Sequence, residues 1–234
     1  MAIGAKFYQL SEVDSTNEYA KRIMNEAPEG TVVIADVQTA GKGRMGRRWF
    51  SPEGGIWMSV VLDGCDGGLI PLAAGVAICE AFQPYGIDLG IKWPNDVLLK
   101  GKKIAGVLVD VIEERTIMGI GINLNVREFP DELKEKASSI LIETNKHLDA
   151  QDLYHDLCRA IEDNYQLVKE QRIDELLGKW QCHSVMTGRH VRIEQPDRIV
   201  IGRVLDIDRQ GALVIMQYDN TVEHIIAGDC ALLK

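Results

Sequence analysis

Gln38-Thr39-Ala40-Gly41-Lys42-Gly43-Arg44-Met45-Gly46-Arg47-Arg48-Trp49 is the stretch whose reading decides the fold. Its segment from Gly41 to Arg48 holds four basic side chains and three glycines, and no acid interrupts Val37 to Pro52. In a chain of net charge -9 this is a local reversal of sign. Glycines let a backbone approach a ligand closely, and the cations beside them favour an anion, so the stretch reads as a flexible loop that covers phosphates. A solvated basic surface loop has the same composition, and this loop alone leaves both readings open. Its literal pattern, G-x-G-x-x-G, would mark a dinucleotide-binding turn if it stood between a strand and a helix. Residues 31–37 do read as a strand. The residues after the loop, Arg47 to Gly55, are too rich in turn formers to open a helix, and three long cations do not fit a tight Rossmann turn. The loop is therefore not expected to be a Rossmann dinucleotide-binding turn.

Outward from the loop, Ser15 and Glu18 have the spacing of a capping box, and Ala20, Ile23, Met24 and Ala27 follow at helical intervals. Ser15, Thr16 and Asn17 serve equally as plain cap residues or as a polar ligand cradle at a helix N-terminus. Residues 56–62 read as a buried strand, and 69–83 as an apolar helix stopped by Pro84 and Gly86. Pro94 cannot donate to a sheet, so the strand around Lys92 must break between Trp93 and Val97 and expose Lys92, Asn95 and Asp96 at a turn. Lys100-Gly101-Lys102 reads as a hairpin turn between residues 89–99 and the strand 103–111, whose partner is 116–125. Gly119 and Gly121 fall on one face of that partner, where a ligand or another backbone comes close. Asp149 caps a helix running to about Gln171, with Leu153, Leu157, Ile161, Tyr165 and Val168 inward, and a second helix covers 173–182. From Thr187 on, short strands at 190–194, 199–207, 212–218, 221–226 and 230–233 have the grammar of a small antiparallel barrel. The domain boundary falls near Met186, giving domains of 1–186 and 187–234.

Composition narrows the class. At 234 residues, 46% hydrophobic and 26% charged, the chain suits one large core with a small satellite domain. The acidic balance argues against nucleic-acid binding. No secretory signal opens the chain, and its best apolar run, 69–77, is too short to span a bilayer, so a cytoplasmic protein with no membrane partner is expected. The cysteines, Cys65, Cys79, Cys158, Cys182 and Cys230, are scattered without a C-x-x-C pair and are expected to be reduced and mostly structural. The histidines show no metal-ligand spacing.

Taken in order, Ser15-Thr16-Asn17, the loop Gln38 to Arg47, Lys92-Trp93-Pro94-Asn95-Asp96, Lys103-Ile104-Ala105-Gly106 and Gly119-Ile120-Gly121-Ile122-Asn123 closely resemble the biotin protein ligases. The resemblance covers essentially the whole chain. It implies an α+β fold: a mixed sheet with helices, like the catalytic domain of class II aminoacyl-tRNA synthetases and biotin ligases, followed by a Src-homology-3-like β-barrel. It implies a reaction in which biotin and ATP, with Mg²⁺, give biotinyl-5′-adenylate and pyrophosphate, after which a lysine of a biotin carboxyl carrier domain takes the biotin. By resemblance, Ser15, Thr16, Gln38, Gly41, Lys42, Leu108 and Gly119 line the biotin pocket. Arg44, Arg47, Trp49, Asn95, Lys103 and Asn123 belong to the nucleotide site, with Trp49 against adenine. Lys103, Arg44 and Asp96 are the catalytic candidates, Asp96 lying near the metal or the incoming lysine. Elementary chemistry agrees, since activating a carboxylate with ATP gathers negative charge that Lys42, Arg44, Arg47 and Lys103 would neutralise. At Lys42 relatives often carry Arg; lysine keeps the charge and loses the bidentate fork. Only 14 residues precede Ser15, so the winged helix of the bifunctional members is expected to be absent. A homodimer formed by sheet pairing is compatible with the family. Two rivals are a lipoate-attaching ligase and a non-enzymatic biotin sensor. The first would not be expected to combine the basic glycine loop with Lys-Trp-Pro-Asn-Asp, and the second has no need of so many cations.

Overall fold

The computed structural model describes residues 2–64 and 67–233, which leaves the expectation for Cys65 outside the described residues. Its elements run β1 (Phe7–Val13), α1 (Thr16–Ile23), β2 (Val32–Gln38), β3 (Ile56–Asp63), α2 (Ile70–Phe82), β4 (Gly90–Lys92), β5 (Asp96–Leu99), β6 (Lys102–Ile112), β7 (Arg115–Ile122), α3 (Ile140–Thr144), α4 (Ala150–Lys169) and α5 (Ile173–His183). Then come β8 (His190–Glu194), β9 (Ile199–Ile207), β10 (Leu213–Gln217), β11 (Val222–Ile225) and β12 (Asp229–Leu232). Strands β1 to β7 make one seven-stranded sheet in the order β1-β2-β3-β7-β6-β5-β4. Among the described strands only β1 and β2 pair in parallel, so the sheet is mixed and the architecture α+β, as expected from the sequence. The break at Pro94 separates β4 from β5, and the hairpin turn lies at Lys100 and Gly101, with φ of 51° and 82°. Two successive positive φ values make a turn whose twist suits a hairpin.

Alternation along the strands assigns the two faces of this sheet. Val32, Ile34, Ile56, Met58, Val60, Leu62, Met118, Ile120 and Ile122 point to one face and join α2, α4 and α5 in the main core. Helix α2 is apolar all round because it is covered on nearly every side. Each fully buried aliphatic side chain here stabilises the fold by about 1.5–3 kcal/mol. The opposite face is covered at one end by α1 and the residues just after it, through Ala20, Met24 and Ala27 against Val33, Val61 and Ile117, and at the other by Val126 and Phe129 against Trp57. Beyond the N-terminus of α1 that same face carries polar and glycine positions instead of aliphatic ones.

Strands β8 to β12 form a separate five-stranded antiparallel sheet ordered β11-β10-β9-β8-β12, consistent with a Src-homology-3-like barrel. It is joined to the first sheet by packing and by a buried hydrogen bond, in which the Trp93 indole N–H donates to the Gly211 carbonyl at 3.0 Å. Val191, Ile193, Val204 and Leu213 share one continuous core with Trp93 and Leu72.

Three local features depart from the sequence reading. The capping box at α1 does not form: Ser15 makes no side-chain cap bond, and the Glu18 carboxylate pairs with Lys21 and Lys42 at 2.9 Å each. Two ammonium groups compete better for a carboxylate than one backbone N–H does. Strand β1 has an alternation of exposed and half-buried residues too weak to announce a strand, and it is held by parallel pairing with β2. The short α3 is set by a Ser139 cap that accepts from the Ile142 N–H. Burial pushes the thiols of Cys158 and Cys230 up to about 11 and about 12, so neither is a thiolate at neutral pH.

Candidate active site

The register of the central strands builds the site. Ser59, Gly119 and Leu108 stand in one row across β3, β7 and β6, and Trp57, Gly121, Gly106 and Asp96 in the next row, extended to β5. All face the side of the sheet that α1 leaves uncovered. The glycines in these rows are required by what lies on them. A Cβ at Gly119 would come within 2.1 Å of Asn17 Oδ1, and one at Gly121 within 2.5 Å of Trp49 Nε1. Side chains from the α1 N-terminus and from the basic loop are thus laid directly on backbone.

On the first row a chain of polar groups runs between the elements. The Thr16 N–H donates to Gln38 Oε1 at 2.8 Å, and Gln38 Nε2 donates to Ser51 Oγ at 2.8 Å. The Thr16 hydroxyl oxygen lies 3.1 Å from Gln38 Oε1 and 2.8 Å from Ser59 Oγ, which in turn lies 2.6 Å from Asn17 Oδ1. Asn17 Nδ2 donates to Asp110 Oδ2 at 3.0 Å, and Lys21 pairs with the same oxygen at 3.0 Å. Ser15, Thr16, Asn17 and Ser59 are all buried. This end of the site is polar and built largely of neutral groups, suited to a ligand head that both donates and accepts hydrogen bonds.

The second row is cationic. Lys103 Nζ lies 2.5 Å from Asp96 Oδ1, Lys92 Nζ lies 3.3 Å from Asp96 Oδ2, and Lys103 also sits 4.9 Å from the centre of the Trp49 ring. Burial opposes ionisation of Asp96, but attraction from Lys103 and then Lys92 outweighs it, so its carboxyl titrates below the usual carboxylate range. A carboxyl depressed on folding adds stability that is present above its unfolded value and is lost as pH falls through its folded one. Asp96→Asn is therefore expected to flatten the acid limb of a plot of Tm against pH; an acid limb as steep as in the parent protein would contradict this.

The basic loop closes over this row. Trp49 N–H donates to the Gly41 carbonyl and Gly43 N–H to the Arg47 carbonyl, at 2.8 and 2.7 Å, with a single 3₁₀ turn at Arg44–Gly46 between them. No helix follows, in keeping with the exclusion of a Rossmann turn. Arg44 Nη1 donates to Asn95 Oδ1 at 3.1 Å, and Asn95 Nδ2 donates to the Val107 carbonyl at 2.7 Å. Arg47 reaches the other sheet, pairing with Asp229 at 2.6 Å. The Trp49 indole N–H is buried with no hydrogen-bond partner among the described residues.

The structure thus brings together Thr16, Gln38, Leu108 and Gly119 at one end, and Arg44, Trp49, Asn95, Asp96 and Lys103 at the other. Ser15 is buried beside the first group, and Gly41 closes the loop over it. Lys42 is half exposed and paired with Glu18. The Asn123 side chain follows Gly119 and Gly121 at the same alternation; it is buried and donates to the Ser138 carbonyl at 3.0 Å, which ties the chain after β7 to the segment before α3. Sequence reasoning passed over Ser59, Asp110 and Ser51. Ser59 and Asp110 were detectable as lone polar residues in otherwise apolar strand segments; Ser51, in a turn, carried no such signal. Among the described residues no group of three or more His, Cys, Asp and Glu side chains could hold a metal ion. Asp96, the expected metal carboxylate, has an ammonium group on each oxygen, so these residues do not build a resident magnesium site.

A model of the biotin/lipoate A/B protein ligase family matches residues 10–126, and a model of the biotin protein ligase C-terminal domain matches residues 187–233. The chain belongs to the biotin/lipoate A/B protein ligase family and carries the C-terminal domain of the biotin protein ligases. It is 34% identical over 235 residues to the bifunctional ligase/repressor BirA of Bacillus subtilis, covering 94% of this chain and 72% of that one. It is 34% identical over 248 residues to the biotin–[acetyl-CoA-carboxylase] ligase of Mycobacterium tuberculosis, covering 99% of this chain and 91% of that one. In structure it is similar to the Aquifex aeolicus biotin protein ligase in complex with biotin and ATP, with a TM-score of 0.89, 31% identity, and coverage of 98% of this chain and 99% of that one.

Proposed function

We propose that this protein is an ATP-dependent ligase that activates biotin to biotinyl-5′-adenylate and transfers the biotin to a lysine of a biotin carboxyl carrier domain. The observation that carries this is the pairing, on one sheet face, of a polar row around Thr16, Gln38 and Ser59 with a cationic row around Lys103 and Arg44. Biotin's neutral cyclic urea suits the first row, and its carboxylate then points at the second, where the α-phosphate of ATP must meet it. Lys103 stabilises the negative charge that accumulates as carboxylate attacks phosphorus and pyrophosphate leaves. Magnesium enters as the counterion of ATP, because such ions are commonly held by substrate phosphates with few protein carboxylates. Asp96 holds Lys103 in place and lies where an acceptor lysine would arrive. The division into a catalytic part, 1–186, and a small barrel, 187–234, belongs to this proposal. So do action in the cytoplasm, the absence of nucleic-acid binding and of a membrane partner, and a homodimer paired through a sheet edge.

The direct test is incubation with ATP, labelled biotin and a carrier domain, followed by detection of covalent label. Lipoate in place of biotin separates the two branches of the family, and label from lipoate alone would overturn the biotin assignment. A narrower expectation concerns the glycine under Trp49. Gly121→Ala puts a methyl group where the indole lies, which costs about 1–3 kcal/mol if the ring is displaced. If Trp49 supports the adenine, KM for ATP should rise about tenfold, with biotin affinity measured without ATP unchanged. An unaltered KM for ATP would remove Trp49 from the nucleotide site.

A further inference from the structure

We propose that Glu18 is a positioning residue for the biotin end of the site: its carboxylate latches the basic loop to α1 through Lys42, so that the rate at which biotin leaves depends on this ion pair. The inference deepens the biotin assignment and rests on it. Three side-chain ties run from the loop, each to a different part of the fold. Lys42 Nζ meets Glu18 Oε1 on α1 at 2.9 Å, Arg44 donates to Asn95 between β4 and β5 at 3.1 Å, and Arg47 pairs with Asp229 on β12 at 2.6 Å. The second holds the loop over the cationic row and the third reaches the small sheet. The first stands at the polar end, where the loop begins.

Glu18 is available for this tie because its ordinary task is done by others. As the third residue of α1 a glutamate would reach back to the Ser15 N–H. That N–H instead donates to Asp14 Oδ1 at 2.8 Å, and Asp14 is held in turn by Arg22 through two bonds of 2.9 Å. The Glu18 carboxylate therefore faces two ammonium groups, Lys42 and Lys21, both on Oε1. Lys21 also pairs with Asp110 on β6 at 3.0 Å, which fixes the receiving side of the latch to the sheet. Hydrogen bonds from Lys42 and then from Lys21 hold the Glu18 carboxyl below the usual carboxylate range, so it is charged at neutral pH.

The latch acts on the pocket through the residue before it. Up to Ala40 the chain is fixed by backbone bonds, from the Thr39 N–H to the Val13 carbonyl and from the Ala40 N–H to the Asp14 carbonyl, at 2.9 and 2.8 Å. Gly41 then lies so close to its neighbours that a Cβ would come within 2.6 Å of Ser51 Oγ and 3.1 Å of Gln38 Nε2, two groups of the polar chain. Releasing the Lys42 ammonium frees the next stretch of backbone to lift Gly41 off Gln38 and open the polar end. Lys42 thus holds the loop, while Arg44 and Lys103 remain for phosphate. With Lys42 51% and Glu18 29% exposed, solvent screens part of the attraction, and the expected effect is modest.

The measurement is dissociation of labelled biotin from the intact chain, chased with unlabelled biotin. Glu18→Ala should speed it about fivefold, with KM for ATP unchanged. Glu18→Gln, which keeps the length and loses the charge, should show most of the same increase, and it carries the comparison if the alanine variant fails to fold. Lys42→Glu sets two carboxylates against each other and should release biotin faster still. Combined with Glu18→Lys, and with Lys21 in place, it restores one carboxylate between two ammonium groups, and the rate should return to within about twofold of the parent's. A residue that merely supports α1 would not be rescued by reversing the charges. A parental rate in the Glu18 variants, or no return in the reversed pair, overturns the latch and leaves the biotin assignment standing. A rise in KM for ATP as large as the change in biotin release would show a general loosening and overturn it as well. No binding of biotin by the parent protein overturns the latch and the biotin assignment together.

Discussion

Lys103→Ala is expected to release pyrophosphate from ATP and biotin about a hundredfold more slowly than the parent protein while remaining folded. The lysine lies 2.5 Å from Asp96 and 4.9 Å from the centre of the Trp49 ring. Removing one preorganised charge from a developing anion costs about 3 kcal/mol in barrier height. The fold should survive because Lys92 still pairs with Asp96, so no carboxylate is left buried alone. Biotin-dependent pyrophosphate release, followed alongside circular dichroism, measures both parts. Release at the parental rate would take Lys103 out of the chemistry.

Arg44→Gly should act on retention more than on synthesis. Biotinyl-adenylate is a mixed anhydride that water or any amine can attack, so an enzyme that makes it must enclose it until the acceptor arrives. Arg44 ties the basic loop to Asn95, and Asn95 is tied to the Val107 carbonyl on β6. Glycine removes a charge-assisted bond and adds backbone freedom to a loop already holding three glycines, Gly41, Gly43 and Gly46. Together these weaken retention by roughly 2–3 kcal/mol, or release about 30- to 150-fold faster. The escaping product should label bystander lysines. Incubation with biotin, ATP and an unrelated protein shows this directly, and a clean bystander beside normal adenylate synthesis would mean that Arg44 does not hold the lid.

What was legible in the sequence had strong local causes. The break at Pro94 and the Lys100-Gly101 turn follow from the backbone chemistry of single residues, and the strands flanking them were read almost to the residue. The cations of the site were legible because charge against an acidic background is conspicuous. What escaped reading depends on partners far along the chain. Strand β1 exists through its pairing with β2, Glu18 leaves its helix for Lys42, and the polar chain joins Gln38, Ser59 and Asp110, residues that only the sheet register brings together. Asn123 is a similar case: its amide nitrogen is held by the Ser138 carbonyl, a partner that its motif alone does not announce.

The Trp93 hydrogen bond to Gly211 has a consequence for cooperativity. The indole is fully buried between the two sheets, and its donor group would be orphaned if the smaller sheet swung away. Separation would also bare Leu72 and uncouple Arg47 from Asp229. Opening the interface thus costs desolvated polar and apolar surface together, a penalty that an ordinary interdomain hinge avoids. Strands β8 to β12 are therefore expected to unfold together with the seven-stranded sheet in a single calorimetric transition, and damage at the far end of the chain to be felt at Trp93, next to Lys92, which pairs with Asp96.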